Sequence, residues 1–283
     1  MSKTDVATRP IDATVTSRDG TTIAFERSGD GPVLVLVAQA LSDRRDNRKL
    51  AAQLSASYTV VNYDRRGRGA STDAGEWAVA REVDDIEALI DAHGGTALVF
   101  GASSGGVLAL DAAAALPSKV GAVAAYEAPV IVDDQRPPVP RDLADRIAAL
   151  IETGRRSQAV TEFMKTALGA SGFMVGAMRL MVPIWRSMEA MAPTTVYDLR
   201  LCAGLQDGVP LTTTRWQRLV APALVLVGGK GDAFMRTGSA ALAAHLGAEH
   251  DVIDGAHHAT PMMKPALLLP TLEWFFSEAS RAR

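Results

Sequence analysis

The chain has 283 residues, 48% of them hydrophobic and 22% charged, with a formal net charge of −3. This is ordinary globular composition, which excludes wholesale disorder and gives no electrostatic reason to expect nucleic acid or an anionic membrane surface as partner. The single cysteine, Cys202, excludes an intrachain disulfide and any zinc site built from several thiolates.

From the N-terminus, Met1–Thr16 is polar and lacks the apolar core of a signal peptide. No apolar run anywhere approaches the roughly 18 residues a membrane helix needs, so a cytoplasmic location is expected. Asp12 to Ser17 and Thr21 to Arg27 alternate in polarity around the turn Arg18-Asp19-Gly20, the pattern of two paired strands. Val33 to Val37 is a continuous apolar run of strand length, which suits a parallel strand buried on both faces. The same type recurs at Thr59 to Val61, Ala97 to Phe100, Val120 to Ala125 and Ala223 to Val227. Helical spacing separates these runs at Arg81 to Ala92, Gly105 to Leu116, Thr237 to Leu246 and Ala266 to Glu278. Alternating strands and helices predict an α/β fold, a mostly parallel central sheet with helices on both sides.

Residues 129–221 break the alternation. They contain no convincing buried strand, open with the linker-like Asp133 to Pro140, and continue in helical periodicity at Leu143 to Ile151 and Ala159 to Leu168. The reading is one core, residues 1–128 and 222–283, with a helical cap, residues 129–221, inserted into it.

Gly101-Ala102-Ser103-Ser104-Gly105 follows an apolar strand and opens a helix. In that context G-x-S-x-G presents a nucleophilic serine on a tight turn, with helix-start N–H groups facing a developing oxyanion. Ser103 is preferred over Ser104, because glycines flank it and the Ser104 N–H then remains a donor.

With these residues in hand the chain resembles the α/β-hydrolase family along nearly its whole length, in its serine-nucleophile, capped branch (esterase-, lactonase- or haloperoxidase-like). Tyr63-Asp64-Arg65-Arg66-Gly67-Arg68-Gly69-Ala70-Ser71 is similar to the segment that precedes the family's elbow strand. Val225 to Asp232 is similar to the late strand whose G-x-x-D ending supplies the triad acid. Ile253 to His258 is similar to the G-x-x-H segment that carries the base. The resemblance implies a triad of Ser103, His258 and Asp232 in the family's chain order, with His257 as the other choice of base. Glu127, at the end of an earlier strand, is the alternative acid. Most relatives carry His-Gly after the first buried strand, and this chain has Val37-Ala38-Gln39-Ala40-Leu41 instead. Alignment on Leu41-Ser42 puts the oxyanion N–H groups at Gln39 and Ser104, with Ala40 as next choice after Gln39.

Arg44, Arg45 and Arg48 read as a solvated helix start, or else as a site for a substrate carboxylate. The methionine-rich cap suggests an apolar substrate pocket that includes Met164, Met178, Met181 and Trp185. No phosphate loop, dinucleotide fingerprint or metal-ligand spacing is present, so no cofactor and no metal are expected. The resulting expectation is a cofactor-independent serine hydrolase that opens an ester, lactone or related acyl bond of a small apolar molecule through an acyl-enzyme. Carbon–carbon cleavage or non-hydrolytic tailoring at the same site, and a ligand-binding protein with a vestigial triad, are the alternatives.

Overall fold

The computed structural model describes residues 10–281. Met1 to Arg9, the start of the polar N-terminal stretch, and Ala282 and Arg283 lie outside the described residues. One eight-stranded sheet runs through the molecule in the order β1-β2-β4-β3-β5-β6-β7-β8. Its strands are β1 (Ile11–Thr16), β2 (Thr22–Ser28), β3 (Val33–Val37), β4 (Thr59–Tyr63), β5 (Ala97–Ala102), β6 (Val120–Tyr126), β7 (Ala223–Gly228) and β8 (Glu249–Ile253). The first two strands form an antiparallel hairpin and β2 joins β4 antiparallel, while all remaining pairings are parallel.

The continuous apolar runs serve two layers at once. Successive side chains of a strand point to opposite faces. Val35 and Val37 of β3 therefore join one cluster with Ile86, Leu89, Leu108 and Leu242, while Leu34 and Leu36 join the other with Leu50, Leu54, Leu272 and Phe276. The first layer is covered by α2 (Val79–Asp91), α3 (Ser104–Ala115) and α9 (Ala233–Leu246), the second by α1 (Arg44–Leu54) and α11 (Leu269–Arg281). Strand β8 lies at the edge of the sheet with four of its five residues exposed, so it lacks the apolar run that marks its neighbours.

Between β6 and β7 the described chain forms helices only: α4 (Leu143–Glu152), α5 (Arg156–Glu162), α6 (Gly172–Leu180), α7 (Val182–Met191) and α8 (Thr195–Leu201). They have a core of their own, in which Met164, Trp185 and Met188 pack with Leu143, Ile147, Phe163 and Leu199.

The pairing register positions the chemistry. Ala102 lies opposite Tyr126, so the residues that follow β5 and β6, Ser103 and Glu127, leave the sheet side by side. The Ser103 N–H donates to the Tyr126 carbonyl at 2.8 Å, and the Glu127 N–H donates to the Leu226 carbonyl at 2.8 Å.

Candidate active site

Ser103 turns the chain from β5 into α3 with φ 53° and ψ −127°. A side-chain-bearing residue held there costs on the order of 1–3 kcal/mol, a strain typical of functional turns. The flanking glycines answer a steric demand. A Cβ on Gly101 would lie 2.1 Å from the Gly105 carbonyl oxygen, and one on Gly105 would lie 2.4 Å from that of Val37. Ser103 stands at the kink and lines a cavity of about 380 Å³. Ser104, the first residue of α3, has its hydroxyl engaged: it donates to Asp198 Oδ1 at 2.8 Å.

His258 lies in the loop between β8 and α10 (Thr260–Met263) and lines the same cavity. Its Nδ1 is 2.7 Å from Oε2 of Glu127. Glu127 has no solvent exposure and sits at φ 46°, a second left-handed non-glycine residue beside Ser103. Its other oxygen, Oε1, accepts the Gly228 N–H at 2.9 Å. Gly231 makes room for it, since a Cβ there would lie 2.8 Å from Glu127 Oε1. The neighbouring ring of His257 is occupied locally, its Nδ1 accepting the Ala259 N–H at 3.2 Å. No hydrogen bond joins the Ser103 hydroxyl to a described residue, and catalytic contacts of this kind often tighten only around substrate.

The sequence expectation that Asp232 is the carboxylate beside His258 is therefore corrected to Glu127. The reason is local. Residues 228–231 form a turn closed by the Gly231 N–H on the Gly228 carbonyl, and Asp232 follows it. Asp232 arrives as the N-cap residue of α9, exposed and without a side-chain capping bond. Glu127 leaves the adjacent inner strand directly beneath the imidazole.

The loop after β3 runs Ala38 to Ser42, with Leu41 at φ 55°. Gln39 and Ser104 line the cavity, and the N–H of neither donates to a described residue. In place of His-Gly, two buried arginines grip this loop through its carbonyls. Arg65 Nη1 donates to the Ala38 carbonyl at 3.3 Å, and Arg68 Nη1 donates to those of Gln39 and Ser42 at 2.6 and 3.1 Å. Asp198 of α8 joins them, accepting from Arg65 and Arg68 at 2.7 Å each. Glu82 completes the set with two bonds from Arg65 at 2.6 and 2.7 Å. Burial alone would raise the Asp198 carboxyl, but the guanidinium groups of Arg68 and Arg65 outweigh it and hold the group below the usual carboxylate range. Two cations and two anions balance in this buried cluster.

Apolar side chains on the cavity wall are Phe163, Leu168, Leu199, Phe234, Met235 and Met262, and the cationic ones are Arg136 and Lys230. Met164, Met178, Met181 and Trp185, expected to line the pocket, do not. Met164 and Trp185 are buried in the core of the helical segment, Met178 packs against it, and Met181 is 52% exposed. Helical spacing marked an apolar face correctly, but that face packs on other helices. Arg44, Arg45 and Arg48 are paired with the carboxylates of Asp64, Asp43 and Glu26 at the start of α1. Among the described residues no group of three or more His, Cys, Asp or Glu side chains could hold a metal ion, and no helix is long and apolar enough to cross a membrane.

Residues 40–270 match the model of the alpha/beta hydrolase family. The chain belongs to that family. A solved alpha/beta hydrolase from Sphaerobacter thermophilus is 43% identical, with a TM-score of 0.84 over 93% of this chain and 100% of that one. A thermophilic esterase from Thermogutta terrifontis shares the fold at 21% identity, with a TM-score of 0.71 over 96% of this chain and 99% of that one. The uncharacterized hydrolase YraK of Bacillus subtilis is 34% identical over 112 residues, and the match spans 38% of this chain and 41% of that protein.

Within this alpha/beta hydrolase, the elements that sequence reasoning missed are Asp198 and the contacts of Arg65, Arg68 and Arg136. Arg65 and Arg68 sat in a recognised segment, and three arginines in four positions beside a buried strand were the available signal. Asp198 had none, because its partners lie more than 90 residues away.

Proposed function

We propose that this alpha/beta hydrolase is a cofactor-independent serine hydrolase that opens an ester or related acyl bond of a small, partly apolar molecule through an acyl-enzyme. The observation that carries the reading is the 2.7 Å contact of His258 Nδ1 with the fully buried Glu127, in the cavity that also holds the strained Ser103. A carboxylate on Nδ1 fixes the imidazole tautomer with Nε2 free to take a proton, and it stabilises the imidazolium that forms.

In this mechanism His258 Nε2 removes the Ser103 proton as Oγ attacks the carbonyl carbon. The N–H groups of Gln39 and Ser104 receive the negative charge on the carbonyl oxygen. Donors fixed in advance, here by the grip of Arg65 and Arg68 on the loop, need no reorganisation when that charge develops. The intermediate collapses, His258 protonates the leaving group, and the acyl group remains on Ser103. Water, deprotonated by His258, then releases the acid. Residues 129–221 act as a cap that supplies much of the apolar wall, and core residues on either side supply the chemistry.

Ser103→Ala tests the reading. Turnover of 4-nitrophenyl acetate and labelling by a fluorophosphonate probe should both be abolished, with the melting temperature within a few degrees of wild type. Activity that survives Ser103→Ala but not Ser104→Ala would move the nucleophile. A folded wild-type protein that neither labels nor turns over esters would be a binding protein with an inert site.

A further inference from the structure

Arg136 lies in the segment between β6 and α4 and reaches the cavity from the side of the helical segment. Its Nη2 donates to the carbonyls of Thr166 and Ala167 at 3.1 and 3.0 Å. Its guanidinium carbon stands 4.8 Å from the centroid of the Phe234 ring. These contacts fix the plane of the group while using one of its three nitrogens. Nε and Nη1 donate to no described residue, and no described carboxylate lies within ion-pair distance. Arg65 shows the contrast: all three of its nitrogens are engaged, two on Glu82 and one on Asp198 and Ala38.

The charges around Arg136 leave it short of an anion. Glu127 is committed to His258 and Gly228, and Asp198 is committed to two arginines and Ser104. Asp232 lines the cavity but is exposed, and Lys230 adds a second cation. Burial pushes the Arg136 guanidinium below its ordinary value, and the attraction of Asp232 offsets this only in part. With Nη2 committed, both forked edges of the guanidinium are spoken for, and Nη1 remains as a fixed, charged donor that can give a carboxylate oxygen a charge-assisted hydrogen bond.

Resting on the reading of Ser103 as nucleophile, we infer that the substrate carries a carboxylate in addition to its scissile acyl bond, and that the Nη1 end of Arg136 binds it. The apolar wall then holds the carbon chain between the two ends.

Two probes test this: the mono-4-nitrophenyl ester of glutaric acid, and the same molecule with its free acid methylated. They differ in one charge. The wild-type kcat/KM should favour the acid by at least roughly tenfold. In Arg136→Gln that ratio should fall at least tenfold, while Arg136→Lys, which keeps the charge but loses the planar group held by Phe234 and the two carbonyls, should fall between the two. The ratio divides out any general effect of the substitution. Equal use of both probes by the wild type, or a ratio unchanged in Arg136→Gln, would overturn the inference. Glutarate binding to Ser103→Ala, measured by calorimetry, separates this from the hydrolase reading. Binding that is lost with Arg136→Gln supports the anion site whatever becomes of Ser103, and no binding of glutarate overturns it.

Discussion

Strands β6 and β7 end next to each other, and each brings a carboxylate to the same cavity. Glu127 follows β6 directly, has no exposure, and spends both oxygens, one on His258 and one on the Gly228 N–H. Asp232 follows β7 after three turn residues, is exposed, and has neither the histidine nor a capping bond. A carboxylate orients an imidazole only when the fold leaves it nothing else to do. Burial and a second fixed donor meet that condition at β6, and solvent defeats it at β7.

The largest effect that sharpens this contrast is expected from Glu127→Gln. An amide cannot stabilise the imidazolium, and turnover of 4-nitrophenyl acetate should fall on the order of 10⁴-fold with the fold intact. A loss under tenfold would break the comparison.

Asp198→Asn probes the other fully committed carboxylate. It leaves Arg65 and Arg68 short of a buried anion, a change that costs roughly 3–5 kcal/mol. A lower melting temperature should report it. Asp198 and Glu82 are both held below the usual carboxylate range, so they stabilise the fold above the unfolded-state value near 4. That contribution is lost as pH falls through their folded values. The wild-type melting temperature should therefore drop on acidification below about pH 4, and Asp198→Asn should drop less.

Gly231→Ala asks how finely Glu127 is placed. The backbone at Gly231 lies outside the left-handed region, so alanine fits the chain there, but its Cβ would press on Glu127 Oε1. Displacing an orienting group by about an ångström costs on the order of 10² in rate, and a tenfold to hundredfold loss in kcat is expected. An unchanged kcat would show that the carboxylate position is not limiting. Asp232→Asn should have the smallest effect, less than about tenfold, or under 1.4 kcal/mol in barrier terms. A ranking with Asp232→Asn below Glu127→Gln in activity would restore Asp232 to the histidine.

The sheet was legible because each inner strand is buried on both faces and so leaves a continuous apolar run. Edge strand β8 escaped because solvent takes four of its five residues. The elbow was legible for a different reason. Two glycines answer close backbone contacts, and such contacts leave a mark in sequence that survives without knowledge of the partner. The carboxylate beside His258 was expected from the other strand because Asp232 and Glu127 both end apolar runs, and sequence does not show which of the two the fold buries against the imidazole. The pocket lining was misread for a related reason. Periodicity reports that Met164, Met178 and Trp185 share apolar faces, but not whether the facing surface is a ligand or another helix. Asp198 lay beyond reach because its value comes from Arg65 and Arg68, which only the folded chain brings to it.

The bond from Ser104 to Asp198 bears on how substrate enters. Helix α8 belongs to the helical segment, yet its aspartate is moored to the elbow and to two core arginines. Swinging α8 away would strand charges that have no access to water, a change costing several kcal/mol. Opening the segment as a single hinged lid would therefore carry that cost in full. Its moored end is tied to Ser104 and the core arginines, and opening at the least cost falls to the parts that lack such an anchor. Helix α6, where Phe173 is 89% and Leu180 83% exposed and Val175 is the buried residue, is the part with least to hold it down. Amide exchange should be fastest there and slow along α8, which would make the traffic of substrate a property of the outermost helix.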